Sequence, residues 1–264
     1  MYLLPKPKTI KEQDGQMLLC HSTHIVMTKE VAETEMHAAK RLQEAIRQET
    51  GLILPFSVGE VREGDLSLGI AKTLPEQTYE ITIDEKGGQI SGGDGAGVLY
   101  GVETFCQIVQ QCGGILPCVQ IQDAPDMPNR GYYFDQTRGR VLKLEELKKI
   151  ADRMCRYKLN QLQLYVEHTY LFRDFSEMWR DQTPLTAEEI RELDSYCRER
   201  HIELVPSLAS FGHLCTLLST KTYGDLCEME DSWKEPFSFW NQMRYHTINV
   251  SDERSLPLIK KMIA

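Results

Sequence analysis

Apolar and polar residues alternate along this chain in two successive rhythms. In the first, Met36, Ala39, Leu42, Ala45 and Ile46 recur at helical spacing, and Gly51 supplies the residue that closes such a helix. Leu52 to Val58 and Leu66 to Ala71 are apolar runs of strand length. Tyr79-Glu80-Ile81-Thr82-Ile83 alternates with the period of a half-buried strand, and Lys86-Gly87-Gly88 is expected to turn it into Gln89-Ile90-Ser91. A second helix is predicted from about Gly97, with Val98, Val102, Phe105 and Val109 on one side. Ile115 to Ile121 reads as another strand.

Asp123-Ala124-Pro125-Asp126-Met127-Pro128-Asn129 breaks this pattern, because two prolines and three Asp/Asn residues favour turns over regular structure. Beyond it, strands and helices alternate. Tyr132 to Phe134 is a short apolar strand. Leu144, Leu147, Ile150, Ala151 and Met154 line a helix ending near Tyr157. Leu162 to Val166 is the next strand. Thr186-Ala187-Glu188-Glu189 is a capping box, from which Ile190, Leu193 and Cys197 continue a helix, and Ile202 to Pro206 is a third strand. Helices between successive strands argue for an α/β sheet or a (β/α)8 barrel. The expected organisation is a small α/β domain over residues 1–126, then three β/α units over 127–264. The last helix begins with Ser255 as its cap and Pro257 in its first turn, and no Gly, Asn or Pro closes it. It reads as a helix interrupted, so the barrel is expected to be incomplete and the chain a piece of something longer. An open barrel edge of this kind is expected to promote self-association.

Composition narrows the class. Of 264 residues, 41% are apolar and 26% charged, enough for a packed core. The net charge of −9, with no basic tract, argues against nucleic acid and anionic membrane as partners. No signal-peptide pattern or membrane-length run is present, so a cytoplasmic location is expected. Eight cysteines without a CxxC pair read as buried thiols. His213-Leu214-Cys215 offers two metal ligands with no second pair, so neither a metal nor another cofactor is expected.

In barrels of this type the reacting groups sit at the C-terminal ends of strands. Arg130 and Asp135 flank the first strand of the second rhythm, with Arg138 close behind. The second strand runs into Glu167-His168-Thr169-Tyr170, and the third into Ser210-Phe211-Gly212-His213. Each has a plainer reading: Asp135 and Arg138 as a rim ion pair, His168 as a cap or a polar filler. Gly92-Gly93-Asp94-Gly95-Ala96-Gly97 lacks the Lys-Ser/Thr of a phosphate loop and the spacing of a dinucleotide fingerprint, and reads as a turn.

The succession Arg130-Gly131-Tyr132-Tyr133-Phe134-Asp135, then Tyr157-Lys158-Leu159-Asn160-Gln161-Leu162-Gln163-Leu164-Tyr165, then Pro206 through Gly212-His213, resembles the first half of a family 20 glycoside hydrolase barrel. Tyr79-Glu80-Ile81 through Gly97-Val98-Leu99-Tyr100-Gly101-Val102-Glu103-Thr104-Phe105 resembles the small α/β domain that precedes it. The resemblance implies β-N-acetylhexosaminidase-type chemistry on terminal N-acetylhexosamines of glycans. The substrate's own 2-acetamido oxygen attacks the anomeric carbon, one Glu serves as acid and then base, and the preceding Asp orients the acetamido group. That Asp-Glu pair lies on the family's fourth barrel strand, and Asp252-Glu253 here precedes a helix instead, so the chain is expected to lack it and to be inactive alone. The residues carried over as substrate-binding are Arg130, Asp135, Glu167, His168 and His213, with Arg130 as the arginine that bonds sugar hydroxyls and His213 as a partner of the carboxylates. His168 stands where Asp is common. Trp233 and Trp240 are read as packing residues. The alternatives are a related N-acetylglycan hydrolase, such as one removing O-linked N-acetylglucosamine, and a non-catalytic carbohydrate-binding or assembly module.

Overall fold

The structure, a computed structural model, describes every residue except 230, 232, 233, 235, 237, 241–245 and 264. Trp233 therefore lies outside the described residues. The chain divides into two compact units. The first holds Met1–Gly131 with Ile150–Gln161 and Cys197–Ile202; the second holds Tyr132–Lys149, Leu162–Tyr196 and Glu203–Ala264.

The first unit is a seven-stranded mixed sheet. Its strands are β1 (Thr9–Leu18), β2 (Ile25–Met27), β3 (Phe56–Val58), β4 (Leu66–Ile70), β5 (Tyr79–Asp84), β6 (Gly87–Gly92) and β7 (Ile115–Asp123), in the order β1-β7-β5-β6-β4-β2-β3. Pairings from β1 to β6 in that order are antiparallel, and those from β6 to β3 are parallel. Its helices are α1 (Lys29–Thr34), α2 (Met36–Thr50) and α3 (Gly95–Cys112). Helix α2 buries the predicted face of Ala39, Leu42, Ala45 and Ile46, and ends at Gly51 with φ of 77°. Helix α3 is buried from Ala96 through Val109, which suits an element packed against both α2 and the sheet.

Three local readings change. Gly87 and Gly88 belong to β6, and the register pairs Asp84 with Gly87, so Glu85-Lys86 makes the two-residue turn. The Leu52–Val58 run is extended only over Phe56–Val58. The glycine-rich segment is a turn whose glycines are set by close packing. A Cβ on Gly93 would lie 1.9 Å from the Pro75 carbonyl oxygen, and one on Gly97 would lie 2.3 Å from that of Thr78. Asp94 caps α3 by accepting from Gly97 N at 2.7 Å, and the same oxygen accepts from Gln77 N at 2.9 Å.

The second rhythm forms β8 (Gly131–Asp135), β9 (Gln161–Val166) and β10 (Glu203–Leu208), adjacent in chain order, with α4 (Leu144–Arg156) after β8 and α5 (Ser176–Trp179) and α6 (Ala187–Arg198) after β9. This is the start of a (β/α) barrel, incomplete at three strands. The capping box of α6 closes reciprocally: Thr186 N donates to Glu189 Oε2 at 2.8 Å, and Glu189 N to Thr186 Oγ1 at 3.2 Å. Strand β9 alternates, with Leu162, Leu164 and Val166 buried and Gln161, Gln163 and Tyr165 half-buried. After β10 come α7 (Cys215–Leu218) and α8 (Ser255–Ile263), and Leu214, Leu217, Leu258, Ile259 and Met262 join Phe172, Phe175 and Met178 in one apolar cluster. Ser255 starts α8 but does not cap it, because its hydroxyl donates back to the Asn249 carbonyl at 2.7 Å. Trp240 is 70% exposed and meets Phe239 edge-on, so it is not a packing residue. No described helix is long and apolar enough to cross a membrane.

Candidate functional site

The ends of β8 and β9 and the loop after β10 converge on one guanidinium. Asp135 closes β8, and its Oδ1 accepts from the backbone N–H groups of Thr137 and Arg138 at 2.9 and 3.0 Å. That tight turn brings Arg138 back over the strand ends. Its Nη1 donates to Asp135 Oδ2 at 3.0 Å, and its Nη2 donates to Glu167 Oε1 at 2.9 Å and Tyr165 OH at 3.1 Å. The guanidinium carbon lies 4.8 Å from the centre of the Tyr165 ring. His213, held at φ of 58°, places Nδ1 3.2 Å from Arg138 Nη2 and sets its ring edge-on to Tyr165.

Burial is uneven across this cluster. The Glu167 side chain is 3% exposed, against 27% for Arg138 and 35% for Asp135. Burial raises the Glu167 carboxyl above the usual carboxylate range, and the Tyr165 hydroxyl and Arg138 only partly offset it. Burial works against the Arg138 charge too, but the Glu167 carboxylate, Tyr165 and Asp135 outweigh it and hold the guanidinium charged. Tyr165 is raised by burial and by its 2.7 Å hydrogen bond to Glu167 Oε1. Arg138 Nε and Glu167 Oε2 are buried without a hydrogen-bond partner among the described residues. In a low-dielectric setting such atoms favour a polar ligand or water. The cluster thus offers a forked donor, carboxylate acceptors and an aromatic face, the chemistry suited to vicinal hydroxyls.

Of the residues expected at the site, Asp135, Glu167 and His213 come together here. His168 does not join them. It is buried, its Nδ1 lies 3.2 Å from Thr216 Oγ1, and burial lowers its pKa. Arg130 is held within the first unit. Its Nε donates to the Lys158 carbonyl at 2.7 Å, its Nη1 to the Met127 and Pro128 carbonyls at 2.7 and 3.0 Å, and its Nη2 to Tyr100 OH at 3.1 Å. The arginine beyond the first barrel strand that meets the other site residues is Arg138. The sequence showed Asp135 and Arg138 as a possible ion pair, which they form, but did not show that the pair is shared with Glu167. Tyr165 was visible only as a strand residue, although its place on the half-buried face of β9 was the available signal. Asp252 is bound by its neighbour Arg254, whose hydrogen bonds hold its pKa at about 2, too acidic for a proton donor.

Known proteins share this succession of a mixed α/β domain and a partial barrel. Residues 1–124 match the family model for glycosyl hydrolase family 20, domain 2. The chain is 26% identical over 245 residues to a β-hexosaminidase of Porphyromonas gingivalis, covering 82% of this chain and 31% of that protein. It is 30% identical over 162 residues to one of Akkermansia muciniphila, covering 53% and 33%. It thus spans about a third of the length of these curated relatives. Among solved structures, the N-acetyl-β-hexosaminidase of Streptomyces plicatus, in complex with thio-NAglucal, shares the fold with a TM-score of 0.83 at 21% identity, over 99% of this chain and 55% of that one. The resemblance to family 20 glycoside hydrolases, in their N-terminal domain and the first part of their barrel, is borne out.

Proposed function

We propose that this chain supplies the sugar-holding front part of a β-N-acetylhexosaminidase-type glycoside hydrolase. The observation that carries the reading is the Arg138 fork, fixed between Asp135 and Glu167 at the strand ends of a fold shared with such enzymes. Relatives in sequence are β-hexosaminidases, and a solved structure of similar fold holds the product GlcNAc. The substrate is a terminal N-acetylhexosamine. Arg138 and Asp135 bind hydroxyls on the ring, while Glu167 and His213 keep the guanidinium in place. Hydrolysis then needs an Asp-Glu pair: the Glu protonates the leaving oxygen and later takes a proton from water, and the Asp steadies the acetamido group as its oxygen attacks the anomeric carbon. None of the carboxylates gathered here forms such a pair, so the chain by itself binds without cleaving.

The test is hydrolysis of an aryl N-acetyl-β-glucosaminide by the purified chain. No turnover above the buffer blank is expected, since losing general acid catalysis alone removes about 100- to 10,000-fold. A turnover near the ordinary enzymatic range of about 1 to 1,000 per second would place the acid within these residues and overturn the assignment.

A further inference from the structure

Arg130 is left unassigned once Arg138 takes the sugar-facing role. It lines a cavity of about 230 Å³ in the first unit, with Lys6, Tyr100, Met127, Tyr157 and Lys158 among the walls. Charge does not balance there. Lys8 pairs with Asp126 at 2.8 Å and Lys158 with Asp123 at 3.2 Å, so those lining charges cancel. Arg130 donates to three carbonyls and a tyrosine hydroxyl, all neutral, and pairs with no carboxylate among the described residues. Lys6 adds a second positive charge with no described ion pair.

A guanidinium carries five N–H groups, and these four bonds leave one of them on Arg130. An ammonium carries three, and Lys158 uses two, toward Tyr79 OH at 2.7 Å and Asp123 Oδ2 at 3.2 Å. The lining cations Lys6, Lys8, Arg130 and Lys158 outnumber the carboxylates Asp123 and Asp126, which suits an anion such as a carboxylate. Burial pushes the Lys158 ammonium down, and a further anion beside it would relieve that cost. The cavity, of about 230 Å³, is below the roughly 300–1,000 Å³ of sites for drug-sized ligands, and its lining includes the 42% exposed Tyr157. A flat apolar body of one ring fits both facts.

We infer that this cavity binds a small aromatic carboxylate, whose charge pairs with Arg130 and whose ring lies against Tyr157. The test is calorimetric titration of the whole chain with benzoate, and with benzamide as its uncharged isostere. Saturable benzoate binding is expected, with benzamide weaker by at least about tenfold, the loss that goes with a charge-assisted hydrogen bond. Arg130 also fastens a loop, so Arg130→Ala is replaced by Tyr157→Ala, at a wall position 42% exposed. Tyr157→Ala should weaken benzoate by about three- to tenfold, while Arg138→Ala leaves it unchanged. Absence of saturable benzoate binding, equal binding of benzamide, or sensitivity to Arg138→Ala but not to Tyr157→Ala would overturn the inference.

Discussion

Replacing Arg138 by alanine removes the cation from the cluster and tests whether Glu167 is buried as a charge. The variant loses two charge-assisted bonds, to Glu167 at 2.9 Å and to Asp135 at 3.0 Å. The Asp135 bond counts for little, since that carboxylate is 35% exposed and screened by water. The Glu167 bond dominates. Breaking a fully buried pair costs about 3–5 kcal/mol, and Arg138 is itself partly exposed, so about 2–3 kcal/mol is expected near neutral pH. The pH dependence separates this from simple loss of packing. Burial already raises Glu167 in the folded state, so the folded protein binds more protons than the unfolded one above the ordinary carboxylate pKa, and stability falls as pH rises through the raised value. Without Arg138 the carboxyl rises further and that loss extends to higher pH. The difference between variant and parent should therefore be small at an acidic pH, where Glu167 is protonated in both proteins, and grow at a pH above the raised value. Urea denaturation at both pH values, with unchanged slope, measures it. An equal difference at the two values would mean that Glu167 carries no buried charge.

Three further outcomes follow from the same contacts. Arg130→Ala should lower the unfolding free energy by about 1.5–3 kcal/mol, read as a lower urea midpoint, for the charge-assisted bonds lost to backbone carbonyls, and leave binding at the Arg138 cluster intact; an unchanged midpoint would show that the loop at Met127 and Pro128 holds without it. Gly93→Ala should unfold the first unit, because its Cβ would lie 1.9 Å from a backbone oxygen, and a variant with parental melting would refute the close packing of that turn. If three barrel strands leave an open edge, light scattering should show mass rising with concentration, whereas a mass constant at the monomer value would exclude self-association.

Long periodic elements were legible in the sequence because burial enforces their period. Helix α2, the alternating β5 and the β/α succession after residue 130 all fall where apolar spacing predicts them. Strand β1 was not legible: it is exposed over most of its length, so TIKEQDGQML carries no alternation, and only its pairing with β7 makes it a strand. Strand β2 is three buried residues, too short to show a period. At the site, the residue types were readable and their partners were not. Arg130 and Arg138 both follow turn-forming or acidic residues near one strand. Which of them faces the cluster depends on where β8 stops and how Asp135 turns the backbone, and neither is written in local composition.

The most direct test of the sugar-holding role is titration of N-acetylglucosamine into the isotopically labelled chain, read residue by residue in NMR spectra. The account predicts saturable shifts confined to the backbone around Asp135 to Arg138, Tyr165 to Glu167 and His213, abolished by Arg138→Ala while the spectrum of the first unit stays unchanged. Shifts centred on Arg130 and Lys158, or the same response in the Arg138→Ala variant, would contradict it.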